Sequence, residues 1–428
     1  MPKIKAIDLF AGCGGLTEGF EMTGLYETVA GVEWDKSAKD TLAERLKQLG
    51  YYDADKRIVR FDIRRTKELL SGWENDPLYL SSPGLDAIVG ERGGAVDIIV
   101  GGPPCQAYSI AGRIRDKNGM NDDYRNFLFE SYVKLVDHFQ PAAFIFENVP
   151  GMLSAQPGGV SIITRIKAAF ASIGYSIVDD SRRYAMVDAS EYGVPQNRTR
   201  VILLGLRNES FSGDIQSLLV DFYRIILPTY KKDKKTTVAE AIDDLPKFYV
   251  RYDKDGVRYW PKSTAVANHV PRYHSARDIA IFRELALDAS RLIREYGSVE
   301  SLKQLYTRVT GRVSSVHKYN VLNWNSQSNT IVAHLYKDGL RHIHPDPEQA
   351  RSITVREAAR LQSFPDNFIF MGPVGDQYKM IGNAVPPLLA QALGGALADF
   401  LYYHGMLQVD NHGRKAIHKE TLSAGVGV

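Results

Sequence analysis

Short apolar runs, each closed by a glycine or a polar residue, recur along the first two hundred positions. Lys5–Phe10 (KAIDLF) is interrupted by Gly12-Cys13-Gly14-Gly15, and a helical stretch begins near Leu16 and Thr17. Val29–Val32 ends at Glu33, and a charged segment with leucines at Leu42 and Leu46 predicts the next helix. Ile58–Phe61 ends at Asp62; Val96–Val100 (VDIIV) and Ala143–Phe146 (AFIF) follow, the latter after a helical pattern over Asn126–Phe139. Repeated strand-then-helix units predict an α/β domain built on a mainly parallel sheet. Ligands of such sheets bind at the carboxyl ends of the strands. Glu33, Asp62, Cys105 and Glu147 are all expected there.

The alternation weakens from about Asn208 to Arg351, where a basic run (Lys231–Lys235) and scattered aromatics predict a second domain. Helical patterning returns at Thr354–Leu361, stopped by Phe364-Pro365. Pro386-Pro387 opens a last predicted helix with Leu389, Leu393 and Leu397 at four-residue spacing. The tail from Asn411 is polar and expected to fray, and Ser71–Gly94 is a Gly- and Pro-punctuated connection with no functional reading.

The chain has 428 residues, 44% of them hydrophobic and 24% charged, with a net charge of +3: the composition of a globular protein, neither requiring nor excluding a polyanionic partner. Cys13 and Cys105 are its two cysteines, too few for a disulfide framework, which points to a reducing cytosol. No signal-peptide core follows the first residues and no run of about 18 apolar residues occurs, so a membrane partner is not expected.

Asp8–Gly15 (DLFAGCGG) is a strand-to-helix turn in which glycines permit a tight turn and close approach of a ligand. It departs from G-x-G-x-x-G, with Thr17 in the third glycine's place, and a plain tight turn explains it equally well on its own. Two acids closing later strands add to it. Glu33 is placed for ribose hydroxyls and Asp62 for an adenine amino group, a nucleoside pocket without phosphate machinery that suits S-adenosylmethionine. Trp34 packs either on the adenine or in the core.

Gly101-Gly102-Pro103-Pro104-Cys105-Gln106 places a cysteine behind a rigid diproline at a strand end. A buried structural thiol is the ordinary reading of a lone cysteine, and its loop position favours chemistry instead. Gln106–Asp123 is polar, contains Arg113, and is long enough to serve as an active-site lid. Glu147 closes another strand, and Gln196-Asn197-Arg198-Thr199-Arg200 sets two arginines two apart ahead of an apolar run.

Taken in order, DLFAGCGGL (8–16), GGPPCQAYS (101–109), ENV (147–149), QNRTR (196–200), RSITVREAARLQSFPD (351–366) and YKMIGNAVPP (378–387) resemble the DNA cytosine-C5 methyltransferase family. The resemblance implies an S-adenosylmethionine-dependent, Rossmann-like mixed sheet with helices on both faces and an inserted, smaller target-recognition domain. It implies a catalytic and cofactor-binding domain over 1–206, target recognition over 207–373, and a return to the catalytic domain over 374–428. It makes Cys105 the nucleophile toward cytosine C6, with Glu147 at ring N3 and Arg200, with Arg198 beside it, completing the catalytic set. It assigns the cofactor to Phe10, Gly12, Gly14, Gly15, Glu33, Trp34, Asp62, Ile63, Pro104, Leu128 and Asn383, of which Ile63 and Leu128 fit a core role equally well. DNA contacts fall to Gln106, Ser109, Arg113 and Gln196, and Cys13 is read as structural.

The resemblance further implies that S-adenosyl-L-homocysteine is the product and that the target base flips out of the duplex. It implies a monomer in the bacterial cytoplasm, acting on DNA whose target site a cognate restriction endonuclease can share without touching it. A transfer-RNA methyltransferase with the same motifs would carry a Cys-Phe-Thr tripeptide, absent here. A catalytically dead scaffold would have lost Cys105, Glu147 or the glycine turn. No metal is expected: His342 and His344 lack a completing ligand pattern and are expected to be exposed loop residues.

Overall fold

The computed structural model describes residues 3–104, 128–249, 251–252, 258–259, 265–313, 319–337 and 339–406. They form two compact units. The first comprises the chain up to Tyr192, Thr199–Asp233 and the chain from Val385 on; the second comprises Gly193–Arg198 and Lys234–Ala384. Residues 207–233 therefore pack with the sheet-bearing unit and 374–384 with the other, unlike the segment bounds expected from sequence.

The first unit is built on an eight-stranded mixed sheet. Its strands are β1 (Ile4–Leu9), β2 (Tyr26–Glu33), β3 (Ile58–Arg60), β6 (Ile98–Gly101), β7 (Ala143–Asn148), β8 (Tyr175–Ile177), β9 (Met186–Asp188) and β10 (Thr199–Arg207). Strands β4 (Trp73–Asp76) and β5 (Leu80–Ser82) make a separate antiparallel pair inside the connection that carried no functional reading. The sheet order is β3-β2-β1-β6-β7-β10-β8, with β9 pairing β10. The pairs from β3 to β7 are parallel, while β10 runs antiparallel to β7, β8 and β9. Apolar residues fill these strands because both faces are covered: Ile7, Leu9, Ile98, Ile99 and Phe144 are each fully buried. Strand order reverses direction between β1 and β6, whose ends Leu9 and Gly101 are paired. Such a switch point opens a crevice beyond the carboxyl ends of the two strands, and the site must be sought there.

Helix α1 (Gly15–Met22) follows β1 directly, and α2 (Lys36–Gln48) follows β2 with Asp35 capping its start. A buried ion pair joins them, with Arg45 Nε and Nη2 each 2.7 Å from a Glu18 carboxylate oxygen. Helix α3 (Leu128–Phe139) covers the sheet through Tyr132, whose hydroxyl donates toward the carbonyls of Ile99 and Ile145. Helix α8 (Pro387–Tyr403), opened by proline as predicted, packs against α1. A Cβ on Gly19 of α1 would lie 2.3 Å from the Pro387 carbonyl oxygen, so only glycine permits this approach. The Tyr26 hydroxyl donates to Gly394 O at 2.7 Å, tying β2 to a residue 368 positions away. The stretch Val374–Tyr403 has the hydropathy of a membrane span, but 78% of its most apolar window is buried inside the protein.

The second unit contains α4 (Ala276–Ala289), α5 (Val299–Thr310), α6 (Val355–Leu361) and α7 (Val374–Asn383). Ile281, Phe282 and Leu285 of α4 share a core with Leu305 of α5, Tyr319 and Ile343. Helix α6 starts at a capping box in which Thr354 and Glu357 satisfy one another's backbone N–H groups. Glu357 also receives both ends of Arg351, at 2.6 Å each, in a fully buried pair.

Candidate active site

The turn after β1 departs from ordinary backbone at three positions. Phe10 and Gly12 both have φ of 57° and Gly14, the cap of α1, has φ of 91°. A phenylalanine in the left-handed region is strained, and such strain collects at functional turns. Among the described residues a Cβ on Gly12 would meet nothing within 4 Å, so space lies open beside it. Glu33, at the end of β2, lies across this turn. It accepts from the N–H groups of Gly12 (2.8 Å), Trp34 (2.9 Å) and Asp35 (2.8 Å). Burial raises its pKa, and the three backbone donors oppose the rise. Trp34, next along, is 60% exposed, so its indole is a surface platform and not a core residue.

Asp62, just beyond β3, accepts from the backbone N–H of Arg64 at 3.0 Å and from its guanidinium at both oxygens, Nη2 approaching to 2.5 Å. That contact holds its carboxyl below the usual range. Ile63 and Leu128 are buried, as a core role requires, and Pro104 is half-buried. Asp8 had no assigned role, yet it stands on β1 beside the turn and is 1% exposed. Its Oδ2 accepts from Thr17 Oγ1 at 2.7 Å, whereas Oδ1 is buried with no hydrogen-bond partner among the described residues. Burial raises its pKa to about 7 against the Thr17 bonds. An acid one position before a glycine-rich strand end was the available signal. Cys13 is buried, and burial pushes its thiol far up, which suits a structural residue.

The second half of the site lies at the ends of β6, β7 and β10. Glu147 and Arg200 sit on neighbouring antiparallel strands, with Arg200 Nε 2.8 Å from Glu147 Oε1 and both side chains 12% exposed. Gly102 borders the same carboxylate, because a Cβ there would fall 2.7 Å from Glu147 Oε2. Asn148, buried beside it, donates to Pro103 O at 3.3 Å and accepts from Val149 N–H at 2.8 Å. This fixes the diproline segment leading to residue 105. Cys105, Gln106, Ser109 and Arg113 lie outside the described residues.

Two expected site residues are placed otherwise. Arg198 precedes β10, belongs to the second unit, and is 2% exposed. Its guanidinium donates to the carbonyls of Ile331 (2.8 Å), Gly382 (3.0 Å) and Ala384 (2.9 Å), so it clamps backbone instead of joining Arg200. Gln196, expected at DNA, is fully buried; it donates to Leu361 O and Gln362 Oε1 and accepts from Ile331 N–H. A side chain so enclosed cannot reach a groove. Asn383 is exposed at the end of α7 in the second unit. His342 and His344 are 1% and 2% exposed, correcting the expectation of loop exposure, and burial lowers their pKa values to about 4 and about 3. Among the described residues no group of three or more His, Cys, Asp or Glu is placed to hold a metal.

A switch-point crevice with a glycine turn on one side and a Glu–Arg pair on the other defines a methyltransferase-type α/β fold. The sequence matches the C-5 cytosine-specific DNA methylase family over residues 4–74 and 86–399, and the chain belongs to that family. It is 33% identical to Type II methyltransferase M.Bpa9945I of Bacillus paralicheniformis, over 93% of this chain and 99% of that one. It is 32% identical to Type II methyltransferase M.DdeI of Desulfomicrobium norvegicum, over 91% of this chain and 87% of the relative. The fold matches the crystal structure of an Escherichia coli prophage protein described as a DNA modification methyltransferase, with a TM-score of 0.60 at 24% identity over 94% of this chain and all of the other. The protein is a DNA cytosine-5 methyltransferase.

Proposed function

We propose that the methyl donor is S-adenosylmethionine, that the target cytosine is flipped from duplex DNA, and that Cys105 forms a transient bond to its C6. The observation that carries this reading is the Glu147–Arg200 pair at the mouth of the segment leading to Cys105. Arg200 holds Oε1, and we assign Oε2, on the Gly102 side, to ring N3, with which it would share a proton. Withdrawal of electrons at N3 makes C6 electrophilic. Addition of the Cys105 thiolate there makes C5 nucleophilic. S-adenosylmethionine supplies the methyl group that C5 takes. A base then removes the C5 proton, and the C6–S bond breaks to return the thiolate. A stacked base is out of reach of this constellation, so it must leave the helix at a cost of a few kcal/mol.

The pocket residues fit the donor. Glu33 faces the turn for ribose hydroxyls, Trp34 offers an exposed ring for adenine, and the orphaned Asp8 Oδ1 suits the α-ammonium group. Arg64 must release Asp62 if that acid is to accept from the adenine amino group. The Type II relatives support a role in marking a short duplex site beside a cognate restriction endonuclease, and we further propose a monomer in the bacterial cytoplasm. Residues 207–373 contain the segment we assign to target recognition.

Duplex DNA with 5-fluorocytosine tests the chemistry, because fluorine cannot leave as a proton. Incubated with protein and cofactor it should give a covalent adduct that Cys105→Ser abolishes. Persistence of the adduct in that variant overturns the assignment of the nucleophile. Methyl transfer to transfer RNA and not to duplex DNA would overturn the substrate.

A further inference from the structure

The second unit holds a cleft of about 470 Å³ between the start of α4 and the end of α5. Among the described residues four cationic side chains line it (Arg272, Arg277, Arg312 and Lys337) against one carboxylate, Asp278. Arg277 Nη2 is 2.9 Å from Asp278 Oδ1, which uses up that one anion. Arg312 and Lys337 are exposed and have no carboxylate partner among the described residues. Arg272 donates to the carbonyls of Leu335 and Tyr336 and lies 3.8 Å over the Tyr378 ring, so its position is fixed while its charge is not neutralised. Burial lowers the pKa of His274, at the cleft wall, to about 4, so it is neutral and does not add to the count.

Uncompensated like charges gathered in a concave, partly desolvated site repel one another and raise the local potential; an arriving anion relieves both effects. The Tyr306 hydroxyl, on the α5 wall, adds a donor suited to phosphate oxygens, whereas the Thr310 hydroxyl is spent on the Tyr306 carbonyl at 2.8 Å. The run Lys231–Lys235, conspicuous in the sequence, is a poorer anion site. Lys231 is 2.7 Å from Glu191, and Lys234 is 2.8 Å from Glu240.

We propose that this cleft seats backbone phosphates of the duplex DNA substrate, with Arg312 and Lys337 as direct contacts and Arg272 as a fixed positive floor. The proposal rests on duplex DNA being the substrate. Sequence-independent contacts are readable on any duplex, so a mixed-sequence labelled duplex serves as the probe, titrated by fluorescence anisotropy at several salt concentrations. Each phosphate contact contributes about 0.9 to the slope of log affinity against log salt. R312Q/K337Q should therefore lower that slope by about 2 and weaken binding at low salt, whereas R312K/K337R keeps both. K36Q/K47Q, on α2 of the first unit, removes the same net charge and should leave slope and methylation unchanged. An unchanged slope in R312Q/K337Q, or an equal drop in K36Q/K47Q, overturns the cleft. Absence of both binding and methylation of duplex DNA by the wild type would instead overturn the substrate reading beneath it.

Discussion

At the scale of single residues, the site depends on groups held where water would ordinarily not leave them. Asp8 is the clearest case, with a pKa of about 7 in the folded protein against about 3.9 for an unperturbed aspartate. Between those values the folded state holds a proton that the unfolded chain has released. Stability should thus fall as pH rises from about 4 to about 7. Asp8→Asn should flatten that dependence in urea titrations. An ammonium group at Oδ1 favours the carboxylate, so cofactor binding should tighten with rising pH over the same window and lose the trend in Asp8→Asn, as read by calorimetry. Gly102→Ala tests the other half. The new methyl displaces the Glu147 carboxylate, a flexible side chain, so the fold should tolerate it while turnover drops by about 10²-fold. Arg64→Ala should raise cofactor affinity, by less than tenfold, since a half-exposed ion pair is worth only about 0.2–1 kcal/mol.

Elements show which parts of this were legible in the sequence. Strand ends carrying Glu33 and Glu147, the α1 start and the Pro387 helix opening could be read, because apolar runs, glycines and prolines act locally. The fates of Arg198, Gln196 and the two histidines could not. A guanidinium clamped on three carbonyls and one in a surface ladder have the same local sequence, and only a chain segment more than a hundred residues away decides between them. The same holds for the basic cleft, whose cations come from positions 272, 277, 312 and 337. The start of α6 at Thr354 could be read, but neither the capping box that Thr354 makes with Glu357 nor the buried partner Arg351 was assigned. Glu357 is pushed up by burial and pulled down further by Arg351, to about 2. Its contribution to stability is present above about pH 4.3, the unfolded value, and is lost as pH falls toward 2. Glu357→Gln leaves a buried guanidinium uncompensated and should cost about 3–5 kcal/mol, measured as a shift of the denaturant midpoint.

For the whole molecule, neither compact unit is a continuous piece of chain. The path changes unit four times, after Tyr192, Arg198, Asp233 and Ala384. Helix α8 belongs to the first unit although it follows the bulk of the second, and it supports the very helix that leaves the glycine turn. A chain ending at Ala384 should consequently fail to bind cofactor, and adding residues 385–406 as a separate peptide should restore some binding. Retention of full affinity by the shortened chain would show that α1 holds the turn unaided.

The pairing of α1 with α8 also sets a clock. A ribosome delivers about 5–20 residues each second, so α1 waits about 20–80 s for the partner that closes against Gly19 and Tyr26. During that interval a nascent chain has its glycine turn but not the helix that braces it. Catalysis should therefore begin only after α8 has been translated, and chains released before it should not methylate DNA.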